Sequence, residues 1–403
     1  MRNMSVRTNL DSNSDYSLQL NRWLLKPIGV WPSSSTASRH EKIISIIMNI
    51  VCYSSVMFAM IPCMLRMVLE EESFYMKLKS LGPVSHWTVS VVNYSTLLLR
   101  RNDIRYFVEH MRTDWRRITR EKDQEIMMKN AKFGRYVITF CAAFMQGSIL
   151  GFCFVTAMTT QAVQVGNETR ILYVLPCAVY EKLLNVNENP TNEIVLFAQI
   201  WAAVIATSST VGIFSLSAVL AAHARGQLRV LTEWITEFVN KSRSDKTGPL
   251  REIGMIVEHH LRALNFISYT EEAMNKIYLL ELFRCTMIMC VIEFWILTEW
   301  DDKNIQNLTT YFMMYLSICF NIFIICYIGE ILTEECRKVG EVVYMTNWYY
   351  LPDNHILDLI MIIARSSVVV QITAGKIFHM SIYTFGDVLK TGFAYLNLLR
   401  NMT

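Results

Sequence analysis

Apolar stretches of about 20 residues alternate with polar, charged segments along the whole chain. These stretches cover residues 43–65, 84–99, 133–158, 193–222, 277–298, 310–331 and 374–402. A transmembrane helix needs roughly 20 predominantly apolar residues to cross a hydrocarbon core of ~30 Å. The pattern therefore predicts an all-α, polytopic membrane protein with seven transmembrane helices.

The spans divide the chain into six segments. Residues 1–42 precede the first span, residues 43–222 hold spans one to four, and residues 223–276 form a loop. Residues 277–331 hold spans five and six, residues 332–373 form a mixed amphipathic stretch, and residues 374–403 hold the last span. In the loop, apolar residues recur every three to four positions from Leu228 to Phe238, so we expect helical extensions of spans four and five. A second helix should begin at Leu250, after a break.

Lysine and arginine are distributed unequally between the connecting segments. Eleven of them lie from Arg100 to Arg135 and eight from Arg225 to Lys276, whereas residues 159–192 contain only two. Residues 299–309 are acidic on balance. Because cytoplasmic loops retain positive charge, this bias predicts a cytoplasmic N-terminus and an extracellular C-terminus.

Two glycosylation sequons agree with this orientation. Asn167 and Asn307 each begin an Asn-x-Thr triplet in a segment that the charge bias places outside. Chance sequons also occur, at Asn93 within a span and at Asn240 in an inner loop. We therefore predict glycosylation at Asn167 and Asn307.

The composition supports a membrane protein, with 52% hydrophobic residues, 18% charged residues and a mean hydropathy of +0.26. The ten cysteines contain no C-x-x-C pair, and most fall within apolar stretches. Buried free thiols are the expected state of such cysteines. Cys63 and Cys177 are the pair that the topology places near the outer face, and a disulfide between them stays open at this point.

Catalytic chemistry is not indicated. The adjacent histidines His259 and His260 lack a third ligand at metal spacing and point to different helix faces, so we expect a solvated helix surface there. The sequence has no phosphate-binding loop, dinucleotide-binding motif or nucleophile elbow. We predict that the chain is not an enzyme, binds no metal or cofactor, and has no nucleic-acid partner.

Charged residues within the spans are costly and usually face protein or water. Asp387 and Lys390 are three residues apart on the last helix, either as a mutually neutralising pair or as water-facing groups of a conduction path. Glu281 and Arg284 have the same spacing in span five, where a structural ion pair is expected.

Aromatic, methionine and serine residues recur on spans two, three, four and six. A mostly apolar cavity with a few hydroxyl groups would bind a small volatile or lipid-like ligand. Interfacial anchoring and packing are the alternative roles of such residues. The candidate ligand-binding residues are Trp87, Ser90, Val91, Tyr94, Ser148, Phe152, Phe197, Trp201, Tyr311, Met314 and Tyr315.

The C-terminal motifs resemble those of the insect odorant receptor family. The motifs are CYIGE at 326–330, Tyr344 with Trp348, ITAGK at 372–376, and Thr384-Phe385 followed by LK, AY and LLR up to Arg400. Residues 20–32 look like those of ant and bee receptors. One departure from the family pattern is the missing proline before ITAGK. Gustatory receptors carry Gln-Phe where this chain has Thr391-Gly392, and this difference favours the odorant branch.

The resemblance implies a tetrameric, odorant-gated, non-selective cation channel in the plasma membrane of sensory neurons. It implies a ligand-binding tuning subunit partnered by an odorant co-receptor, with a small apolar volatile or pheromone as ligand and with membrane lipid around it. The last helix would line the pore, with a constriction at Leu398 and an outer ring from Asn401 and Met402, and inner parts of spans four to seven would form a packed anchor.

Other classes are open as alternatives. A gustatory-type receptor channel shares the architecture. A G-protein-coupled receptor also has seven spans, but it requires an external N-terminus and an acidic-Arg-aromatic motif that residues 131–136 lack. A secondary transporter should show an inverted repeat, which the sequence lacks.

Overall fold

A computed structural model of the chain describes residues 2–32, 38–71, 74–165, 168–244, 250–301, 305–368 and 370–402. The described elements are helical apart from two short hairpins. The helices are α1 (Arg2–Leu25), α2 (Arg39–Leu69), α3 (Phe74–Leu99), α4 (Arg101–Arg117), α5 (Glu121–Met158), α6 (Thr191–Ser244), α7 (Leu250–Asp301), α8 (Ile305–Met345), α9 (Asp353–Ser367) and α10 (Ile382–Met402), with a 3-10 turn at Trp348–Tyr350. The antiparallel hairpins pair β1 (Thr160–Val165) with β2 (Glu168–Tyr173) and β3 (Thr373–Ala374) with β4 (Phe378–His379).

Four of the described helices are long and apolar enough to cross a membrane. They are α2, α5, α6 over Thr191–Lys241 and α8 over Leu308–Met345, and each contains one predicted span. The other three predicted spans lie in α3, α7 and α10. The predicted span in α7 contains the charged residues Glu281, Arg284 and Glu293.

Helix α6 is the centre of the bundle and α2 is at its edge. Within its most apolar window 61% of α6 is buried, against 17% of α2. Ile213, Phe214 and Leu220 of α6 are almost completely buried, whereas Ile43, Ile47 and Ile50 of α2 are exposed. In a membrane protein such an exposed apolar face is the one that meets lipid.

The described helices extend well beyond the membrane-length stretches at one end of the bundle, which we call the anchor end. Helix α6 continues to Ser244 and α7 begins at Leu250, as the apolar spacing predicts. Helix α4 buries Ile104, Phe107 and Met111 at three- to four-residue spacing. The opposite end carries the β1–β2 hairpin, and we call it the hairpin end.

The last span differs from its predicted bounds. The sequence analysis starts it at residue 374, but α10 begins at Ile382. Residues 372–380 form the β3–β4 hairpin, in which Gly375 and Lys376 have φ angles of 62° and 60°. A helix cannot pass through two consecutive left-handed residues, so these residues end the extended segment in a tight turn and delay the helix.

Candidate functional site

The structure brings most of the predicted ligand-binding residues into one packed core. Trp87, Ser90 and Tyr94 of α3 are buried. Five half-buried residues pack against the same large core: Val91 of α3, Phe152 of α5, and Tyr311, Met314 and Tyr315 of α8. Ser148 of α5 is half-buried as well. Phe197 and Trp201 of α6 are instead 71% and 48% exposed. These two side chains therefore lie on the outside of the described bundle.

Tyr94 has a packing role near the anchor end. Its hydroxyl donates to the carbonyl oxygen of Ile28 at 2.7 Å and lies 3.3 Å from the side-chain oxygen of Asn49. Its ring contacts Tyr53 of α2 with a centroid distance of 6.0 Å. Tyr94 thus holds the turn after α1 against α2 and α3.

Buried polar atoms without a hydrogen-bond partner among the described residues occur on α3, α5, α6 and α8. They include the Trp87 indole N–H, the Ser90 hydroxyl, the Gln146 side-chain oxygen, the Thr207 hydroxyl and the Asn321 side-chain oxygen. His86 and Asn93 of α3 and Gln227 of α6 also have such an atom. Counted along its own helix, each of the five named first lies about three to four and a half turns from the hairpin end. Leaving such a group unpaired costs about 1–3 kcal/mol, which a polar ligand atom or a water molecule offsets.

A buried ion pair joins three helices within the bundle. The guanidinium of Arg284 donates to the Glu281 carboxylate at 2.7 and 2.9 Å, which confirms the structural pair predicted in span five. The Asn93 amide of α3 donates to the other Glu281 oxygen at 2.6 Å and lies 3.3 Å from the Thr210 hydroxyl of α6. The charge of Glu281 is therefore compensated inside the protein.

The CYIGE and ITAGK motifs meet at the start of α10, in an arrangement that we call the junction. Gly329 lies so close to Met380 that a Cβ atom would collide with the Met380 carbonyl oxygen and lie 2.8 Å from its Cβ. The Glu330 carboxylate accepts the backbone N–H of Ile382, the first residue of α10, at 3.3 Å. The CYIGE motif thus sets where the last helix begins.

The other side of the junction is held by α7. The backbone N–H of Gly375 donates to the carbonyl oxygen of Asn275 at 2.8 Å, and the Thr373 hydroxyl donates to the Glu271 carboxylate at 2.5 Å. A Cβ at Gly375 would lie 2.5 Å from the Leu279 side chain. The β3–β4 hairpin is therefore held by contacts with both α7 and α8. Because α10 follows this hairpin directly, both helices determine its position.

Helix α10 packs one face on its own chain and leaves another uncovered. Phe385 contacts Phe323 of α8 edge to face at 5.5 Å, and Val388 is buried. On the uncovered face, Lys390 lies 3.6 Å from Asp387, with its side chain 79% exposed. Exposed aromatic residues on α10 are Tyr383, Phe393 and Tyr395.

Some predicted site residues fall outside what the structure describes. The backbone of α10 reaches Met402, but the side chains of Leu398, Asn401 and Met402 are outside the described part. Asn167 and the side chain of Asn307 are likewise outside it. The pore constriction and both glycosylation sites therefore stay predictions.

A charged cluster that the sequence analysis did not predict lies at the anchor end. The Asp114 carboxylate of α4 contacts His110 at 3.0 Å, His223 of α6 at 2.9 Å and Arg262 of α7 at 2.5 Å. Burial raises the pKa of Asp114, but the hydrogen bonds from the two histidines outweigh it and hold that pKa well below its usual value. The negatively charged carboxylate thus links α4, α6 and α7.

The same cluster is the group of described residues that could hold a metal ion, since its ligand atoms lie within 4.8 Å of one another. A guanidinium against the same carboxylate opposes a further cation there. The arrangement is explained by its own hydrogen bonds.

The two adjacent histidines contradict the predicted solvated surface. His260 is buried, and His259 is half-buried with a ring nitrogen 3.1 Å from the Gln227 carbonyl oxygen. Burial, together with the positive charge of Arg365, lowers the pKa of His260 to about 4. The prediction was wrong because α7 packs on α6 and α9 here, and a single helix pattern does not reveal how many neighbours cover it.

Long apolar helices, an internal ion pair and a bundle with a lipid-compatible outer face define a polytopic membrane protein. The sequence profile described as "7tm Odorant receptor" matches residues 75–393. The chain belongs to this family of insect odorant receptors. Membership confirms the predicted resemblance and its assignment as a receptor rather than an enzyme.

Curated relatives match over part of their length. Odorant receptor 83a of Drosophila melanogaster is 23% identical over 146 residues, 36% of this chain and 32% of that protein. Odorant receptor 82a of the same species is 28% identical over 206 residues, 49% of this chain and 50% of that protein. The chain thus spans a third to a half of the length of these relatives.

Solved structures show the same fold. The insect olfactory receptor OR5 from Machilis hrabei superposes with a TM-score of 0.75 at 14% identity, covering 96% of this chain and 100% of that one. The same receptor in complex with eugenol matches equally well. The helical membrane fold predicted from the sequence is therefore shown in its overall form.

Proposed function

We propose that this chain is the odorant- or pheromone-binding subunit of a tetrameric, ligand-gated, non-selective cation channel. In this proposal it has seven spans, a cytoplasmic N-terminus and an extracellular C-terminus, and it works in the plasma membrane of sensory neurons with an odorant co-receptor. The observation that carries the proposal is the set of buried polar atoms on α3, α5, α6 and α8 that have no hydrogen-bond partner among the described residues. These are the helices of spans two, three, four and six.

The ligand that fits this arrangement is small and mostly apolar, with one or two polar atoms. Trp87 and Ser90 are three residues apart on α3, so the indole N–H and the hydroxyl share a helix face. A hydroxyl, carbonyl or ether oxygen of a ligand would satisfy either group. Phe197 and Trp201 are not part of the proposed ligand site, because their side chains are exposed on α6.

The conduction path in this proposal runs along α10. A charged pair on an exposed helix face is costly against lipid, so Asp387 and Lys390 favour a water-filled or subunit-facing environment. Leu398, Asn401 and Met402 would form the constriction and outer ring. A hydrophobic ring at Leu398 gates by dewetting, and a ligand that binds the open state more tightly shifts the population towards it.

The ligand site is tested by recording currents from cells that express this chain with an odorant co-receptor. A panel of volatile phenols, alcohols, esters and long-chain hydrocarbons supplies the activators. For an oxygen-containing activator, Trp87→Phe or Ser90→Ala should raise the half-maximal concentration about tenfold, which corresponds to losing ~1.4 kcal/mol of binding free energy. Ser90→Ala removes only the hydroxyl, whereas Trp87→Phe also reduces the size of a buried ring, so surface expression is measured for both variants.

Phe197→Leu is the matched control, because this side chain is on the outside of α6. We expect it to leave potency unchanged. Unchanged potency in Trp87→Phe and Ser90→Ala, at normal surface expression, would contradict the proposed site.

A further inference from the structure

Two cysteine thiols lie against each other at the hairpin end of the bundle. Cys63 is near the C-terminal end of α2, and Cys177 is in the segment between β2 and α6. Both are buried. Both belong to one small buried cluster. The neighbouring Cys63 thiol and burial raise the pKa of Cys177 well above its ordinary value.

Hydrogen bonds on both sides of Cys63 fix the backbone that follows Cys177 against α2. The Tyr180 N–H donates to the carbonyl oxygen of Pro62 at 3.1 Å. The Arg66 guanidinium donates to the carbonyl oxygen of Val179 at 3.3 Å. These bonds place residues 177–180 alongside residues 62–66 in one register, so the approach of the thiols is built into the fold.

Gln199 of α6 adds further hydrogen bonds that hold Cys177 next to Cys63. Its side-chain oxygen accepts the Cys177 N–H at 3.1 Å, and its amide donates to the Cys177 carbonyl oxygen at 2.8 Å. The same amide lies 3.9 Å from the Cys63 sulfur. A small apolar cluster of Val84, Val179, Val186 and Val195 surrounds the pair, so α2, α3, α6 and the β2–α6 segment all meet there.

We propose that Cys63 and Cys177 form a disulfide bond in the mature receptor. The inference uses the orientation given under the proposed function, which places the hairpin end outside and therefore in the oxidising lumen during synthesis. The two thiols lose two protons and two electrons as one sulfur–sulfur bond forms. The oxidant is a protein disulfide of the secretory pathway, which is reduced to a dithiol.

Such a bond would join the segment between β2 and α6 covalently to the hairpin end of α2. This segment covers the hairpin end of the helices that carry the proposed ligand site. The bond would also constrain the unfolded chain, because it closes a loop of more than a hundred residues.

The test is peptide mapping of the full-length receptor. Cells are lysed in denaturing detergent with excess N-ethylmaleimide, so that buried free thiols are alkylated, and the receptor is purified and digested without reductant. Mass spectrometry should find peptides of Cys63 and Cys177 linked to each other, and this species should disappear after treatment with dithiothreitol. Alkylated Cys63 and Cys177 in the unreduced sample would overturn the proposal.

Three variants sharpen the test. Cys63→Ser should leave Cys177 alkylated, and Cys177→Ser should leave Cys63 alkylated. Cys153→Ser, a buried cysteine of α5, should leave the link intact. Mass spectrometry detects the link without any current measurement, so the two proposals can fail separately. A linked receptor that does not respond to volatiles contradicts only the proposed function. A responsive receptor without the link contradicts only this inference.

A thermal measurement gives a second readout in case one variant fails to accumulate. Dithiothreitol should lower the melting temperature of the purified wild-type receptor and leave that of Cys63→Ser/Cys177→Ser unchanged. An equal effect of dithiothreitol on both proteins would contradict the proposal.

Discussion

Replacing Gly329 with alanine is expected to remove most of the ligand-evoked current of the receptor. The added methyl group would collide with the Met380 backbone, directly before α10 begins. Overpacking of this kind costs about 1–3 kcal/mol, and relief requires a shift of the β3–β4 hairpin that positions α10. The measurement is whole-cell current to the best activator of the volatile panel, normalised to receptor at the cell surface.

Gly254→Ala is the matched control for this variant. Gly254 is also in a helix, α7, but a Cβ there meets nothing within 4 Å. Because alanine is the better helix former, this variant should keep its current and its stability. Wild-type current per surface receptor in Gly329→Ala would show that the junction does not set the position of the last helix.

Replacing Arg284 with methionine should largely prevent the receptor from reaching the cell surface. The substitution leaves the Glu281 carboxylate buried without its cation, and breaking a buried pair in this way costs roughly 3–5 kcal/mol. The double variant Glu281→Gln/Arg284→Met should recover much of the loss, because glutamine is neutral and its side-chain oxygen still accepts from Asn93. Surface biotinylation and the melting temperature in detergent measure the effect.

Arg337→Met serves as the control for the buried pair. Arg337 forms ion pairs with Glu334 and Glu341 on α8, but its side chain is 62% exposed. Exposed pairs contribute about 0–1 kcal/mol, so surface delivery should stay near wild type. Equal losses in Arg284→Met and Arg337→Met, or no recovery in the double variant, would contradict the role given to the buried pair.

The apolar pattern predicts the long helices well because a bilayer imposes a minimum length on each span. Every predicted span lies within a described helix except for residues 374–381. That exception has a local cause, the left-handed turn at Gly375 and Lys376, which the ITAGK motif contains but hydropathy does not register. Helix α4 was not predicted, because its many charged residues hide the apolar stripe through Ile104 and Met111.

The candidate site was only partly predictable, since residue types do not specify which face of a helix is covered. Trp87 and Phe197 are both aromatic residues within spans, yet the first is buried and the second is exposed. The Asp114 cluster joins residues far apart in the sequence, so no spacing rule connects them. The motif at 326–330 was recognised by resemblance, but its physical reason, the close approach of Gly329 to Met380, is visible only in the folded chain.

The central claim, that α10 lines an ion path opened by a volatile ligand, is tested most directly by cysteine accessibility on that helix. Lys390→Cys introduces a thiol on the uncovered face, and Val388→Cys introduces one on the buried face. The native cysteines are buried or half-buried, so the wild-type receptor is the background control.

A membrane-impermeant, positively charged methanethiosulfonate reagent is applied outside the cell during activation, and a biotinylated form of it reports labelling. The account predicts that labelling of Lys390→Cys reduces the evoked cation current by more than about half, faster with activator than without it, while Val388→Cys and wild type keep their currents. Labelling of Lys390→Cys that leaves the evoked current unchanged, or no labelling in a receptor that conducts, would contradict it.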